Sequence, residues 1–92
     1  MDERLAPDEA RRLIRQALDA DDVEFSQHAI DEMGNDGLDV ADCRRILRAG
    51  VVEEPEWERG SWRYRVRTRC ACVVVAFDSM AAVIVVTAWR LE

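Results

Sequence analysis

The segment RYRVRTR, residues 63 to 69, sets Arg63, Arg65, Arg67 and Arg69 at every second position. On a β-strand that spacing turns Arg63, Arg65 and Arg67 to one face and Tyr64 and Val66 to the other. Whether Arg69 joins them depends on the turn that follows. A row of guanidinium forks suits the phosphates of a single-stranded nucleic acid, and suits equally the carboxylates of Glu53, Glu54, Glu56 and Glu58 on the preceding segment. His28, the only histidine, is by residue type a candidate general base or acid for proton transfer. At the second position of a helix it could instead cap or pack. Thr87 could orient a phosphate or bond a neighbouring strand, and Trp89 could stack on a base.

No other constellation competes. There is no Gly-rich phosphate loop, no Ser-His-Asp order and no zinc spacing. Cys70 and Cys72 form a CxC with no second pair, and Cys43 sits at an apolar helical position, where a small core residue is expected. Three thiols make no disulfide framework, and neither a metal nor a cofactor is expected.

The elements that must position these residues follow from hydrophobic period. Residues 7 to 19 read as a helix, with Pro7 in its first turn and a core face of Ala10, Leu13, Ile14, Ala17 and Leu18. A second, short helix starts at Ser26 as cap, stapled by Phe25 and Ile30, and ends near Gly34-Asn35. A third opens on Asp39 and Asp42 with a Leu38–Cys43 staple, buries Val40, Cys43, Ile46 and Leu47, and closes at Gly50.

From residue 51 the period becomes two. VVEEPEW reads as an edge strand because Pro55 cannot donate to a ladder; SWRYRVR, CVVVAF and VIVVTAW read as three more strands, with ERGS and DSMAA as turns. In the last strand, Val85, Thr87 and Trp89 share a face by strict alternation.

Helices followed by sequential strands predict an α+β fold, two or three N-terminal helices on a four-stranded antiparallel sheet. Ninety-two residues form one domain, 1–92, with residues 1–6 expected to be disordered. No apolar run approaches a membrane span and the first residues are charged, so a cytoplasmic protein without membrane contact is expected.

The formal net charge of -6 conceals an uneven placement. Residues 1 to 58 carry 7 Arg against 17 Asp or Glu, whereas residues 59 to 92 carry 6 Arg against only Asp78 and Glu92. All 13 basic residues are arginine, so every cation can make forked contacts. Such polarity points to nucleic-acid contact or to pairing between the halves.

SQHAIDEM, then GLDVADCRRILRAGVVEE, WRYRVR, VVVAF and VIVVTAW, resemble over about residues 9 to 90 a family of small bacterial domains of unknown function, domain-of-unknown-function family 4258. Its pattern, a Ser-x-His-Ala helix start and strands ending near a Thr, matches at Ser26, His28, Ala29 and Thr87. The order of elements is more distantly similar to the MqsR and RelE toxins, metal-independent ribonucleases that cleave messenger RNA and are restrained by an antitoxin.

That similarity implies a RelE-like fold and a toxin-type endoribonuclease acting on single-stranded RNA. Arg63 and Arg90 fall where the toxins carry polar active-site residues. The toxins' lysines have no counterpart here, and Tyr64 is the only tyrosine. The expected site comprises His28, Arg63, Arg65 and Thr87 for chemistry, Arg63, Arg65, Arg67 and Arg90 for phosphate, and Trp89 for stacking. The alternative is a non-catalytic interaction module whose arginine strand docks an acidic protein partner or completes a homodimer.

Overall fold

The structure, a computed structural model, describes residues 3–79 and 82–91. Its elements in chain order are α1 (Pro7–Asp19), β1 (Val23–Phe25), α2 (Gln27–Asn35), α3 (Val40–Ala49), β2 (Val51–Val52), β3 (Glu56–Glu58), β4 (Ser61–Arg67), β5 (Ala71–Phe77) and β6 (Val83–Arg90). The fold is α+β, three helices and one mixed sheet ordered β1-β6-β5-β4-β2, with β3 also pairing β4.

Two strand expectations change. VEF, which breaks the helical period without showing a clear strand pattern, adds β1 parallel to β6, with Val23 opposite Val83 and Phe25 opposite Val85. The expected single strand VVEEPEW divides into β2 and β3 around buried Pro55, both antiparallel to β4. A six-stranded mixed sheet therefore replaces the four-stranded antiparallel one.

The core lies on one side of the sheet. Tyr64 and Val66 of β4, Val73 and Val75 of β5, and Val83, Val85 and Ala88 of β6 pack in one cluster with Leu13, Ile14, Leu18, Ile46 and Leu47 of α1 and α3. Burying each of the Val, Leu and Ile side chains contributes about 1.5–3 kcal/mol. All five expected core positions of α1 are buried.

In α3 the Asp39–Asp42 capping box forms, and Leu38 and Cys43 are both buried. Val40, expected in the buried stripe, is 46% exposed because it stands on the first turn, ahead of the part of α3 that meets the sheet. Ile30 is likewise 47% exposed, so the expected Phe25–Ile30 staple does not bury it. Gly50 closes α3 because the chain turns there hard against β4. A Cβ would stand 2.7 Å from Ile46 O and 2.9 Å from Val66 Cγ1.

Leu5 is buried in the core, and its N–H donates to the Tyr64 hydroxyl at 2.8 Å. The expectation for residues 1–6 falls in part on residues 1 and 2, which lie outside the described residues. The expected DSMAA turn likewise falls in part on residues 80 and 81, also outside them; Asp78 N–H donates to Ala82 O across that connection. Among the described residues, no helix is long and apolar enough to cross a membrane.

Candidate functional site

The arginine strand faces away from the core. Tyr64 and Val66 are buried among the helices, which leaves Arg63, Arg65 and Arg67 on the side of the sheet that no helix core covers. The turn after β4 takes Arg69 out of the row. Thr68 N–H bonds Ala71 O, the Thr68 hydroxyl accepts from Cys70 and Ala71, and Arg69 lies exposed at that turn.

Two of the three row arginines already hold carboxylates. Arg65 pairs with Glu56, and Arg67 pairs with Glu53 at 3.2 Å. Glu54 reaches instead to Arg4. Glu56 is opposite Arg63 in the ladder yet bonds Arg65, one diagonal step along. Among the described residues Arg63 makes no ion pair; its Nε donates to Ser61 Oγ at 2.8 Å.

A bulge supplies the second part. Val74 stands opposite Thr87 but Val75 stands opposite Val85, so β6 carries one extra residue, Val86. An inserted residue reverses the alternation beyond it. Val85 is fully buried and Thr87 half-buried on the open face, level with Val74 and Arg65. The strict-alternation expectation that Thr87 and Val85 share a face is therefore wrong. Nothing in an apolar run such as VIVVT marks a bulge.

Ser26 ties the third part to the bulge. Its backbone N–H donates to Val85 O at 3.0 Å and its hydroxyl to Val86 O at 3.3 Å, while the same oxygen accepts the Ala29 N–H at 3.0 Å and so caps α2. Ala29 is fully buried below. The Ser-x-His-Ala pattern thus has a physical reading: Ser26 pins the helix start to the bulged strand, Ala29 seats it, and His28 between them is left exposed beside Thr87.

The result is a pocket of about 330 Å³ lined by His28, Glu58, Arg59, Arg63, Val86 and Thr87. Three expected residues, His28, Arg63 and Thr87, meet there from α2, β4 and β6. Glu58 and Arg59 arrive from the tip of the β3–β4 hairpin. Arg59 (φ 50°) and Gly60 (φ 82°) both take left-handed backbone, the demand of a tight type I′ hairpin, where arginine is a costlier occupant than Asn or Gly. As sequence, ERGS reads only as a turn; Glu58 and Arg59 reach the pocket because the hairpin folds over it.

The remaining expected residues lie elsewhere. Arg65 and Arg67 continue the row along β4, and half-buried Trp89 stands opposite Cys72, level with Arg67. Arg90 serves α2: its Nε donates to Asp36 O at 3.0 Å and its guanidinium to Gly37 O at 3.1 Å, while its backbone N–H bonds the Asp36 carboxylate. These bonds satisfy carbonyls at a helix C-terminus, a favoured place for a cation. Among the described residues no group of three or more His, Cys, Asp or Glu side chains is placed to hold a metal ion.

The chain matches Domain of unknown function (DUF4258) over residues 25–90. It belongs to that family. The match begins at the end of β1 and spans the pocket, leaving α1 outside it. Neither the curated proteins nor the solved structures contain a match to the chain.

Proposed function

We propose that this family member is a toxin-like endoribonuclease of the messenger-RNA interferase type, acting on single-stranded RNA without a metal. The observation that carries the reading is the convergence of His28, Arg63 and Thr87, remote in sequence, on one pocket at the open side of the sheet. The distant similarity of the element order to the RelE and MqsR toxins points the same way, and it implies a cytoplasmic protein restrained by an antitoxin.

The chemistry needs a base, an acid and positive charge at phosphorus. His28 and Glu58 supply the proton-transfer pair. One takes the proton from the ribose 2′-hydroxyl as the 2′-oxygen bonds phosphorus; the other returns a proton to the 5′-oxygen as the P–O5′ bond breaks. The products are a 2′,3′-cyclic phosphate and a free 5′-hydroxyl, with no proton left over. Arg63 and Arg59 bind the non-bridging oxygens, where charge accumulates, and the Thr87 hydroxyl orients the phosphate.

The test is incubation of the purified chain with a single-stranded oligoribonucleotide in chelator. Cleavage with a cyclic phosphate end is expected, and Arg63→Ala and His28→Ala should each lower the rate by about a hundredfold or more. Intact RNA at all protein concentrations, with a stable protein complex weakened by Arg63→Ala, would favour the non-catalytic interaction module instead.

A further inference from the structure

Successive row arginines stand two strand residues apart, about 6.6 Å, a separation of the same order as that between neighbouring phosphates on an extended single strand. Arg63, in the pocket, has no carboxylate partner among the described residues, whereas Arg65 and Arg67 each have one. The partners come from the segment along one edge of β4, Glu56 of β3 and Glu53 just past the end of β2.

All four side chains stay in contact with solvent, at 41% and 61% for Arg65 and Glu56 and 49% and 38% for Arg67 and Glu53. Ion pairs this exposed exchange readily with another anion. A carboxylate presents two oxygens to a guanidinium fork much as a phosphate does.

We propose that Arg65 and Arg67 are two phosphate subsites for the single strand leaving the pocket, and that Glu56 and Glu53 occupy them as built-in phosphate mimics until RNA displaces them. The proposal rests on the RNA reading of the pocket. The offset of the glutamates by one diagonal step keeps the pocket arginine open while the outer subsites stay filled. A free mononucleotide or inorganic phosphate gains only the pocket. A strand of several nucleotides engages three arginines at once and outcompetes the tethered carboxylates, so the row selects polymer over monomer.

The test uses the full chain and a short fluorescent oligoribonucleotide with 2′-O-methyl riboses, which binds without being cut. Glu53→Gln with Glu56→Gln should tighten binding by up to about tenfold. The charge-matched control, Asp8→Asn with Asp19→Asn on α1 behind the sheet, should change it far less. Arg65→Gln with Arg67→Gln should weaken binding and reduce the slope of log affinity against log salt by about 1.4, two phosphate contacts on a single strand.

The proposal is overturned if the glutamate variant binds no tighter than its control, or if the arginine variant keeps the full salt slope. Cleavage of ordinary RNA by the wild type, measured alongside, separates the two ideas: cleavage with either of those results leaves the pocket reading standing and removes only the subsites. Absence of both cleavage and binding in every variant removes both.

Discussion

The Tyr64 hydroxyl accepts the Leu5 backbone N–H at 2.8 Å, and the ring packs edge-on against Phe77 at 5.2 Å between centroids. Burial pushes its pKa up, a tendency only partly offset by that hydrogen bond and by Arg4. A phenol so placed is a structural group. Tyr64→Phe leaves a buried N–H without its acceptor and should cost about 1–3 kcal/mol in urea denaturation, with the rate of RNA cleavage unchanged. A large loss of cleavage by a folded Tyr64→Phe protein would put the chemistry elsewhere.

Burial also pushes the Cys43 thiol up to about 11, and the Cys72 thiol in the same direction, whereas Cys70 is exposed. At mildly alkaline pH a thiol-alkylating reagent should therefore label one cysteine of the native chain, Cys70, and all three in denaturant. The folded state holds the Cys43 proton more tightly than the unfolded chain does. Its contribution to stability is thus complete below the ordinary value of 9.0 and lost as pH rises toward about 11. The urea midpoint should fall across that window, and less steeply in Cys43→Ala.

At the scale of elements, Ser26 is the joint between α2 and the bulged β6. Ser26→Ala removes the cap and the bond to Val86 together, and should cost about 1 kcal/mol in denaturant unfolding. Because His28 sits two residues beyond, the same change should slow cleavage while leaving affinity for uncut RNA nearly intact. Equal loss of affinity and rate would show that Ser26 acts only through stability.

The Asp39–Asp42 capping box gives a second element-level expectation. The backbone N–H of Asp39 holds the Asp42 carboxyl below its ordinary range, with Arg45 adding to this against a smaller cost of desolvation. A depressed carboxyl stabilises the fold above its unfolded value and loses that effect as pH falls through the folded one. The difference in melting temperature between wild type and Asp42→Asn should therefore be present at neutral pH and vanish below the range near 3.8.

These elements also show what was legible beforehand. Helix bounds followed from side chains that act locally, such as Pro7, Ser26, Asp39 and Gly50, and β4 followed from its strict alternation. Three residues of VEF carry too little pattern to announce a parallel edge strand, and the Val86 bulge is a property of pairing rather than of composition. The site was legible as residue types, His28, Arg63 and Thr87. Glu58 and Arg59 were not, because a hairpin tip is brought to the pocket by tertiary folding alone.

Across the whole molecule, the charge asymmetry of the sequence resolves into two arrangements. Acidic residues of the first half neutralise part of the arginine row through Glu53 and Glu56, and the pocket keeps Arg59 and Arg63 outside the ion pairs found among the described residues. An acidic protein can in this way present a local cationic site to an anionic polymer, with attraction that weakens as salt is added.

The most direct measurement is cleavage of single-stranded RNA in excess chelator by the wild type and by Arg63→Ala, each confirmed folded by its unfolding midpoint. Cyclic-phosphate products from the wild type, with the Arg63→Ala rate lower by about a hundredfold, are the expected result. Uncut RNA with the wild type, or equal rates for the two proteins, would contradict the account.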